Sequence, residues 1–138
     1  ADTAELPQLD RDLRDALQTI PPARRLLVTC EGAFSYLAQD YGFEEAYLWP
    51  VNAESQVTPK RMARLIATVR ERDIPTIYCE STVSDKAQRE VATAAGARFG
   101  GSFYVDSLSE ADGPAASLLE LQRHNVDLIR TGLLEVQR

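Results

Sequence analysis

The sequence predicts an α/β domain with an open, four-stranded parallel sheet and helices on both faces of that sheet. Two observations support this fold class. Apolar runs alternate along the chain with segments of helical periodicity, which is the order of strand–helix–strand units. The runs are apolar at successive positions, as in strands that are buried on both faces. A chain of 138 residues, 44% of them hydrophobic, is long enough to bury one such core.

The individual elements follow from local signals. Apolar positions at steps of three and four predict a first helix over 5–20, which Pro21 and Pro22 end. Thr58 and Pro59 are typical of a helix start, with a hydroxyl cap and a proline at the first helical position. The other predicted helices are 32–41, 84–96 and 113–137, and the predicted strands are 24–30, 44–51, 74–79 and 98–107. Gly100 and Gly101 weaken or bulge the last strand.

The charge and the apolar runs exclude some classes of function. The net charge of −6, from 15 basic and 21 acidic residues, argues against a nucleic acid partner, because lysine and arginine hold phosphate backbones. The apolar runs are shorter than the roughly 18 residues of a membrane helix. The opening residues ADTAELPQLDRDL lack the basic start and apolar core of a signal peptide, as expected of a mature or trimmed chain.

Acidic residues stand at the ends of three of the four predicted strands. They are Glu31, Glu80 and Asp106. Ligands of open parallel sheets bind beyond the carboxyl ends of the strands, so these carboxylates could converge on a divalent cation. The alternative is that they cap the helices that follow, where the helix dipole favours an acid. The spacing alone leaves both interpretations open.

Other chemistries find less support in the residues. Paired-carboxylate catalysis needs a cleft that one small domain hardly offers. The only histidine, His124, lies within the last predicted helix, as a helix-surface or inter-helix residue, and no nucleophile elbow is present. A stand-alone flavodoxin-like signalling or interaction module shares the fold class and the strand-end acids. A phosphoacceptor domain of that kind normally has five strands and a lysine at the end of the last one, whereas here the fourth predicted strand ends in Asp106-Ser107 and no fifth follows it.

The two cysteines, Cys30 and Cys79, end the first and third predicted strands. In the expected strand order 2-1-3-4 these strands are neighbours, roughly 4.8 Å apart, which a disulfide accepts. Two buried free thiols are equally compatible with the same placement. The residues by themselves leave the two possibilities even.

Four segments resemble the C-terminal lobe of the metal-binding solute-binding proteins of ABC transporters. They are LLVTCEGAFSYLAQDYG, YLWPVNAESQVTPKRM, TIYCESTVSDKAQREVATAAGARFGGSFYVDSLS and GPAASLLELQRHNVDLI. The resemblance covers about residues 8–134 and is closest to the manganese-binding proteins of cyanobacterial manganese importers. It implies a helix over 1–22 that follows the interlobe linker, and a C-terminal metal-binding lobe over 23–138.

The resemblance also implies a binding site and its chemistry. The family clamps a metal between two lobes, and its manganese-type members take one glutamate and one aspartate from the C-terminal lobe. By motif these are Glu31 of TCEGAF and Asp106 of YVDSLS, while Glu80 of CEST matches a position that is usually not a direct ligand and supports the ligands or the fold. A carboxylate at Glu31, where zinc-type relatives tend to have histidine, favours Mn²⁺, with Zn²⁺ as a competitor. The family likeness further implies a Cys30–Cys79 disulfide and hence a periplasmic protein, lipid-anchored in some precursors.

The chain departs from this family pattern because the N-terminal lobe, with its two expected histidines, is absent from the sequence. The resemblance therefore implies a half-site with weak metal binding and an exposed lobe face that favours self-association. It implies a transport role, not an enzymatic one. The partners it implies are the missing lobe and the membrane permease of an ABC importer.

Overall fold

The computed structural model describes residues 5–32, 38–39, 41–50, 57–104 and 118–134. Its strands are β1 (Leu26–Glu31), β2 (Glu44–Trp49), β3 (Thr76–Glu80) and β4 (Arg98–Phe103). Its helices are α1 (Glu5–Leu17), α2 (Pro59–Glu71), α3 (Lys86–Ala95) and α4 (Leu118–Ile129), with a 3-10 turn at Pro22–Arg24 and a π-helical turn at Arg130–Leu134. From β2 to α4 the strands and helices alternate as predicted. Most of the predicted helix 32–41 lies outside the described residues, as do the predicted ends 105–107, 113–117 and 135–137.

The predicted helix boundaries have visible causes in the structure. The Thr58 side chain accepts a hydrogen bond from the backbone N–H of Arg61 at 3.1 Å, and Pro59 occupies the first turn of α2. Helix α3 ends at Gly96, whose φ of 74° is the left-handed conformation that glycine adopts without strain. Within the described ranges, the helices are too short or too polar for any of them to cross a membrane.

Helices cover both faces of the strands, as the sequence predicts. On one face, Leu13 and Leu17 of α1 and Ile129 of α4 pack with Tyr78 of β3. On the other face, side chains of α2 and α3 pack against β1 and β3. That second cluster includes Val28, Cys30, Leu65, Val69, Ile77, Cys79, Val91 and Ala92. Because neighbouring residues of a strand point to opposite faces, Tyr78 belongs to one cluster and Cys79 to the other.

The four strands form two parallel pairs, β1 with β2 and β3 with β4. The first pair runs in continuous register from Leu26 opposite Glu44 to Glu31 opposite Trp49. The second pair has an irregularity, because Ile77 pairs with Phe99 but Cys79 pairs with Ser102. Two residues, Gly100 and Gly101, therefore face a single position of β3, and Gly101 has a φ of 124°. The bulge predicted at these glycines is confirmed.

The prediction of one continuous four-stranded sheet needs a correction. Strand β1 lies beside β3, as in the expected order 2-1-3-4, but no backbone ladder joins the two pairs among the described residues. Two backbone groups of the facing strands bond to side chains instead. The Glu31 N–H donates to the Glu80 carboxylate at 3.1 Å, and the Tyr78 carbonyl accepts from the Gln88 amide at 2.7 Å. The bond from Glu31 to Glu80 links β1 to β3 and so joins the two pairs, whereas the bond from Gln88 links α3 to β3.

The last helix differs from the uniform α-helix predicted for it. After Ile129 the chain makes a π-helical turn that packs against β3. The Tyr78 hydroxyl donates to the carbonyl of Leu128 at 2.7 Å, and the Thr76 hydroxyl donates to the carbonyl of Gly132 at 2.6 Å. A Cβ atom at residue 132 would meet the side chains of Tyr78 and Thr76. The turn therefore needs glycine there to approach the strand this closely.

Candidate metal site

Glu31 is the last residue of β1, and its side chain is half-buried at the carboxyl edge of the strands. Side chains hold both of its backbone groups: the N–H donates to Glu80 Oε1 at 3.1 Å, and the carbonyl accepts from the Thr29 hydroxyl at 3.0 Å. Gly32 follows because a Cβ atom there would come within 2.9 Å of the Tyr47 ring. The local sequence thus fixes the backbone from which the Glu31 carboxylate extends.

Cys30 and Cys79 form a disulfide, as the resemblance implies, with their Cα atoms 4.7 Å apart. Both residues are fully buried between β1 and the helices α2 and α3. Ligand atoms of Cys30, Cys79 and Glu80 lie within 4.8 Å of one another. The two sulfur atoms are bonded to each other, however, and a disulfide offers no thiolate to a metal. The bridge is therefore a structural link beside Glu31, not a set of ligands.

Glu80 is completely buried at the end of β3. Burial raises the pKa of its carboxyl group from an ordinary 4.5 to about 7, and hydrogen bonds from the backbone of Glu31 and Cys30 oppose that rise. Its Oε2 atom has no hydrogen-bond partner in the described part of the chain. The Glu80 carboxylate is thus enclosed and bonded to the Glu31 backbone, and its supporting or structural role stays a prediction. Glu31 is the more accessible of the two acids.

We expect Glu80→Gln to change how the stability of the metal-free chain depends on pH. With a raised pKa, the folded state binds this proton more tightly than the unfolded state. Protonated Glu80 therefore adds to the free energy of unfolding. This contribution, on the order of 3 kcal/mol, is fully present below about pH 4.5 and is lost as the pH rises through 7. The amide does not titrate, so this loss should disappear in urea titrations between pH 4.5 and 8. The exposed Glu90→Gln variant is the control, and an unchanged pH profile in Glu80→Gln would contradict the assignment.

His124 packs against the end of β4. Its ring stacks on that of Tyr104, with centroids 3.9 Å apart, and its Nε2 lies 2.9 Å from the carbonyl oxygen of Ser102. The predicted helix-surface or inter-helix position is therefore wrong in detail, because the neighbour is a strand. That His124 does not replace the missing histidines stays a prediction.

The second predicted ligand, Asp106, lies outside the described residues. The structure describes the chain up to Tyr104, just beyond the end of β4. The side-chain amide of Asn125 holds the backbone of Tyr104, accepting from its N–H at 2.9 Å and donating to its carbonyl at 3.0 Å. Sequence reasoning missed Asn125, because an asparagine in a helix gives no signal of a contact with a distant strand. The strand-end placement of Asp106 and its role as a ligand remain predictions.

The fold of the chain matches known structures closely. It superposes on a Mn-bound periplasmic metal binding protein from Candidatus Liberibacter asiaticus with a TM-score of 0.79 and 38% identity, over 92% of this chain and 47% of that one. It superposes on the periplasmic zinc binding protein TroA from Treponema pallidum with a TM-score of 0.77 and 29% identity, over 94% and 48%. The fold is thus that of the TroA-like solute-binding proteins, and the chain corresponds to part of such a protein.

Sequence comparison specifies the family. Residues 1–132 match the family model of ZnuA, the periplasmic component A of a zinc-uptake complex, and the chain belongs to this family. It is 50% identical over 124 residues to the iron-binding protein YfeA of Yersinia pestis, covering 90% of this chain and 40% of that protein. It is 31% identical over 131 residues to the manganese ABC transporter substrate-binding lipoprotein PsaA of Streptococcus mitis, covering 95% and 42%. The chain therefore spans less than half the length of these relatives.

Proposed function

We propose that this chain is the C-terminal lobe of a periplasmic solute-binding protein that captures Mn²⁺ and delivers it to an ABC importer. Residues 1–22 would follow the interlobe linker, and residues 23–138 would form the lobe. Glu31 and Asp106 would bind the ion, with two histidines supplied by an N-terminal lobe. Membership of a family of periplasmic metal-uptake proteins supports this transport role over a stand-alone signalling or interaction module.

The placement of Glu31 is the observation that carries the proposal. Its carboxylate extends from the carboxyl edge of the strands, where open parallel sheets bind ligands. The disulfide at Cys30, the Thr29 hydroxyl and the Glu80 carboxylate hold the backbone on either side of it. Such outer contacts orient a metal ligand and limit its motion.

The choice of ion rests on the chemistry of the ligands. Carboxylate oxygens suit Mn²⁺ better than the softer ligands that select zinc, although zinc binds most mixed sites more tightly than manganese. The relatives carry iron, manganese and zinc in their names, so the family accommodates all three. The finer likeness to the cyanobacterial manganese-binding proteins is also a proposal, supported by the Cys30–Cys79 bridge.

Metal titration of two proteins would test the proposal: the 138-residue chain and the full-length protein encoded by the gene. The full-length protein should bind Mn²⁺ as a single site. The chain alone should bind more than about 100-fold more weakly, because changes in the outer shell alone cost roughly 10–100-fold and two ligands are missing. Equal affinities of the two proteins would contradict the claim that this chain carries only half of the ligands. A full-length protein that binds none of Mn²⁺, Zn²⁺ and Fe²⁺ would contradict the proposed metal-transport function.

A further inference from the structure

An exposed aromatic ring lies against the residue that follows Glu31. Tyr47 of β2 is 39% exposed, and no other large hydrophobic side chain among the described residues is exposed. In the register of the first strand pair, Tyr47 stands opposite Thr29. Its ring nevertheless reaches Gly32, three residues farther along the neighbouring chain. The ring therefore extends toward the carboxyl edge of the strands, where Glu31 ends β1.

Gly32 is required by this ring and not by its own backbone conformation. A Cβ atom at residue 32 would lie 2.9 Å from Cε2, 3.1 Å from Cδ2 and 3.2 Å from Cζ of Tyr47. These ring carbons are the nearest atoms that it would meet outside its chain neighbours. The glycines with a left-handed φ are Gly42, Gly96 and Gly101, so Gly32 is not one of them. An alanine at residue 32 would thus be opposed by the ring rather than by backbone strain.

The ring adds a contact on the one side of Glu31 where the strand has ended. The hydroxyl of Thr29 and the carboxylate of Glu80 hold the carbonyl and the N–H of Glu31 itself. Strand β1 and its ladder with β2 stop at Glu31, so the next residue lies beyond the regular pairing. At that point the Tyr47 ring packs on Gly32 and limits how the chain can turn away from the strand.

We propose that Tyr47 is a positioning residue for Glu31 and acts through Gly32. A tyrosine side chain has only two rotatable bonds before its rigid ring, and here a strand carries it, so the ring is a firm neighbour for the backbone. By restricting the peptide between Glu31 and Gly32, it keeps the Glu31 carboxylate directed at the ion. This inference rests on the proposed function, because it requires Glu31 to be a ligand.

The first test is Mn²⁺ binding by the full-length protein with Tyr47→Ala and with Tyr47→Phe. Alanine removes the ring, and we expect a loss of affinity of roughly 10-fold, as for other outer-shell changes, with an altered EPR spectrum of bound Mn²⁺. Phenylalanine keeps the ring carbons that face Gly32, so its affinity and spectrum should match those of the wild type. Wild-type affinity and spectrum in Tyr47→Ala would overturn the inference. An equal loss in Tyr47→Phe would also overturn it, because the hydroxyl group would then carry the effect.

Gly32→Ala tests whether the ring acts through the backbone. With the ring in place, the added methyl group forces the ring or the peptide to move, and Mn²⁺ affinity should fall roughly 10-fold or more. In the Tyr47→Ala background the methyl group has room, so the double variant should bind Mn²⁺ like Tyr47→Ala alone. Losses of affinity that simply multiply in the double variant would show that the two positions act independently, which contradicts the inference.

Phe99→Ala is the matched control, because Phe99 is a half-buried aromatic residue near the amino end of β4, whereas Glu31 is at the carboxyl end of β1. It should lower the urea midpoint of the metal-free protein but leave the Mn²⁺ affinity and the EPR spectrum unchanged. A loss of affinity equal to that of Tyr47→Ala would reduce the effect to general destabilisation and overturn the positioning role.

Glu31→Gln in the same series separates the positioning role from the proposed function. If Glu31→Gln binds Mn²⁺ like the wild type, the proposed function fails and the positioning role fails with it. If Glu31→Gln weakens binding but Tyr47→Ala does not, the proposed function stands and only the positioning role fails.

Discussion

Reduction of the Cys30–Cys79 disulfide is expected to lower the free energy of unfolding of this chain by roughly 4 kcal/mol. The bridge joins residues 49 apart in the sequence, so it removes much of the conformational freedom of the unfolded chain. It also joins β1 to β3, the two neighbouring strands that share no backbone ladder in the described residues. The expected value is the entropic one, because it arises in the unfolded chain and not from the packing that also holds β1 beside β3 in the folded state.

Urea unfolding with and without a thiol reductant measures this effect. The chain has only two cysteines, so a Cys30→Ala/Cys79→Ala variant should be insensitive to the reductant and should unfold near the reduced wild type. Free-thiol quantification confirms that the bond is open. A reduced protein with the urea midpoint of the oxidised protein would show that the strands are held together without the bridge.

Glu31→Gln is expected to weaken Mn²⁺ binding by the full-length protein more than about 100-fold. The substitution keeps the size of the side chain but removes the negative charge and one hard ligand atom. Outer-shell changes alone cost roughly 10–100-fold, so the loss of a direct ligand should exceed that range. The Glu31 N–H and carbonyl bonds belong to the backbone and survive the change, so the fold should be retained.

Isothermal titration at neutral pH measures the affinity, and urea unfolding of the metal-free protein checks the fold. Glu90→Gln provides the control, because Glu90 is an exposed carboxylate on α3 that loses the same charge. Its affinity should stay within about twofold of the wild type. Comparable binding by Glu31→Gln and Glu90→Gln would remove Glu31 from the site.

The layered α/β fold could be predicted because its signals are local. Apolar runs identified all four strands, and Thr58 with Pro59 placed the start of α2. The bulge at Gly100 and Gly101 was also predictable, since paired glycines in a strand permit backbone conformations that other residues avoid. The break between β1 and β3 was not, because it depends on where the distant side chains of Glu80 and Gln88 place their hydrogen bonds.

At the candidate site, too, the positions of residues along the chain were predictable but their contacts with distant residues were not. The position of Glu31 at a strand end follows from the pattern of the sequence, but the clamp on its backbone depends on contacts 49 residues away. The π-helical turn after α4 likewise arises from the hydroxyls of Thr76 and Tyr78, which no helical periodicity reveals. Asn125 belongs to this group too, because its partner Tyr104 lies 21 residues earlier.

The most direct test of the metal site is a crystal structure of the full-length protein loaded with Mn²⁺, with anomalous diffraction data to locate the ion. We expect one strong anomalous peak within about 2.3 Å of a Glu31 carboxylate oxygen, with Asp106 on the same ion and Glu80 outside its coordination shell. A fully loaded site whose peak lies away from Glu31 would show that Glu31 is not a ligand.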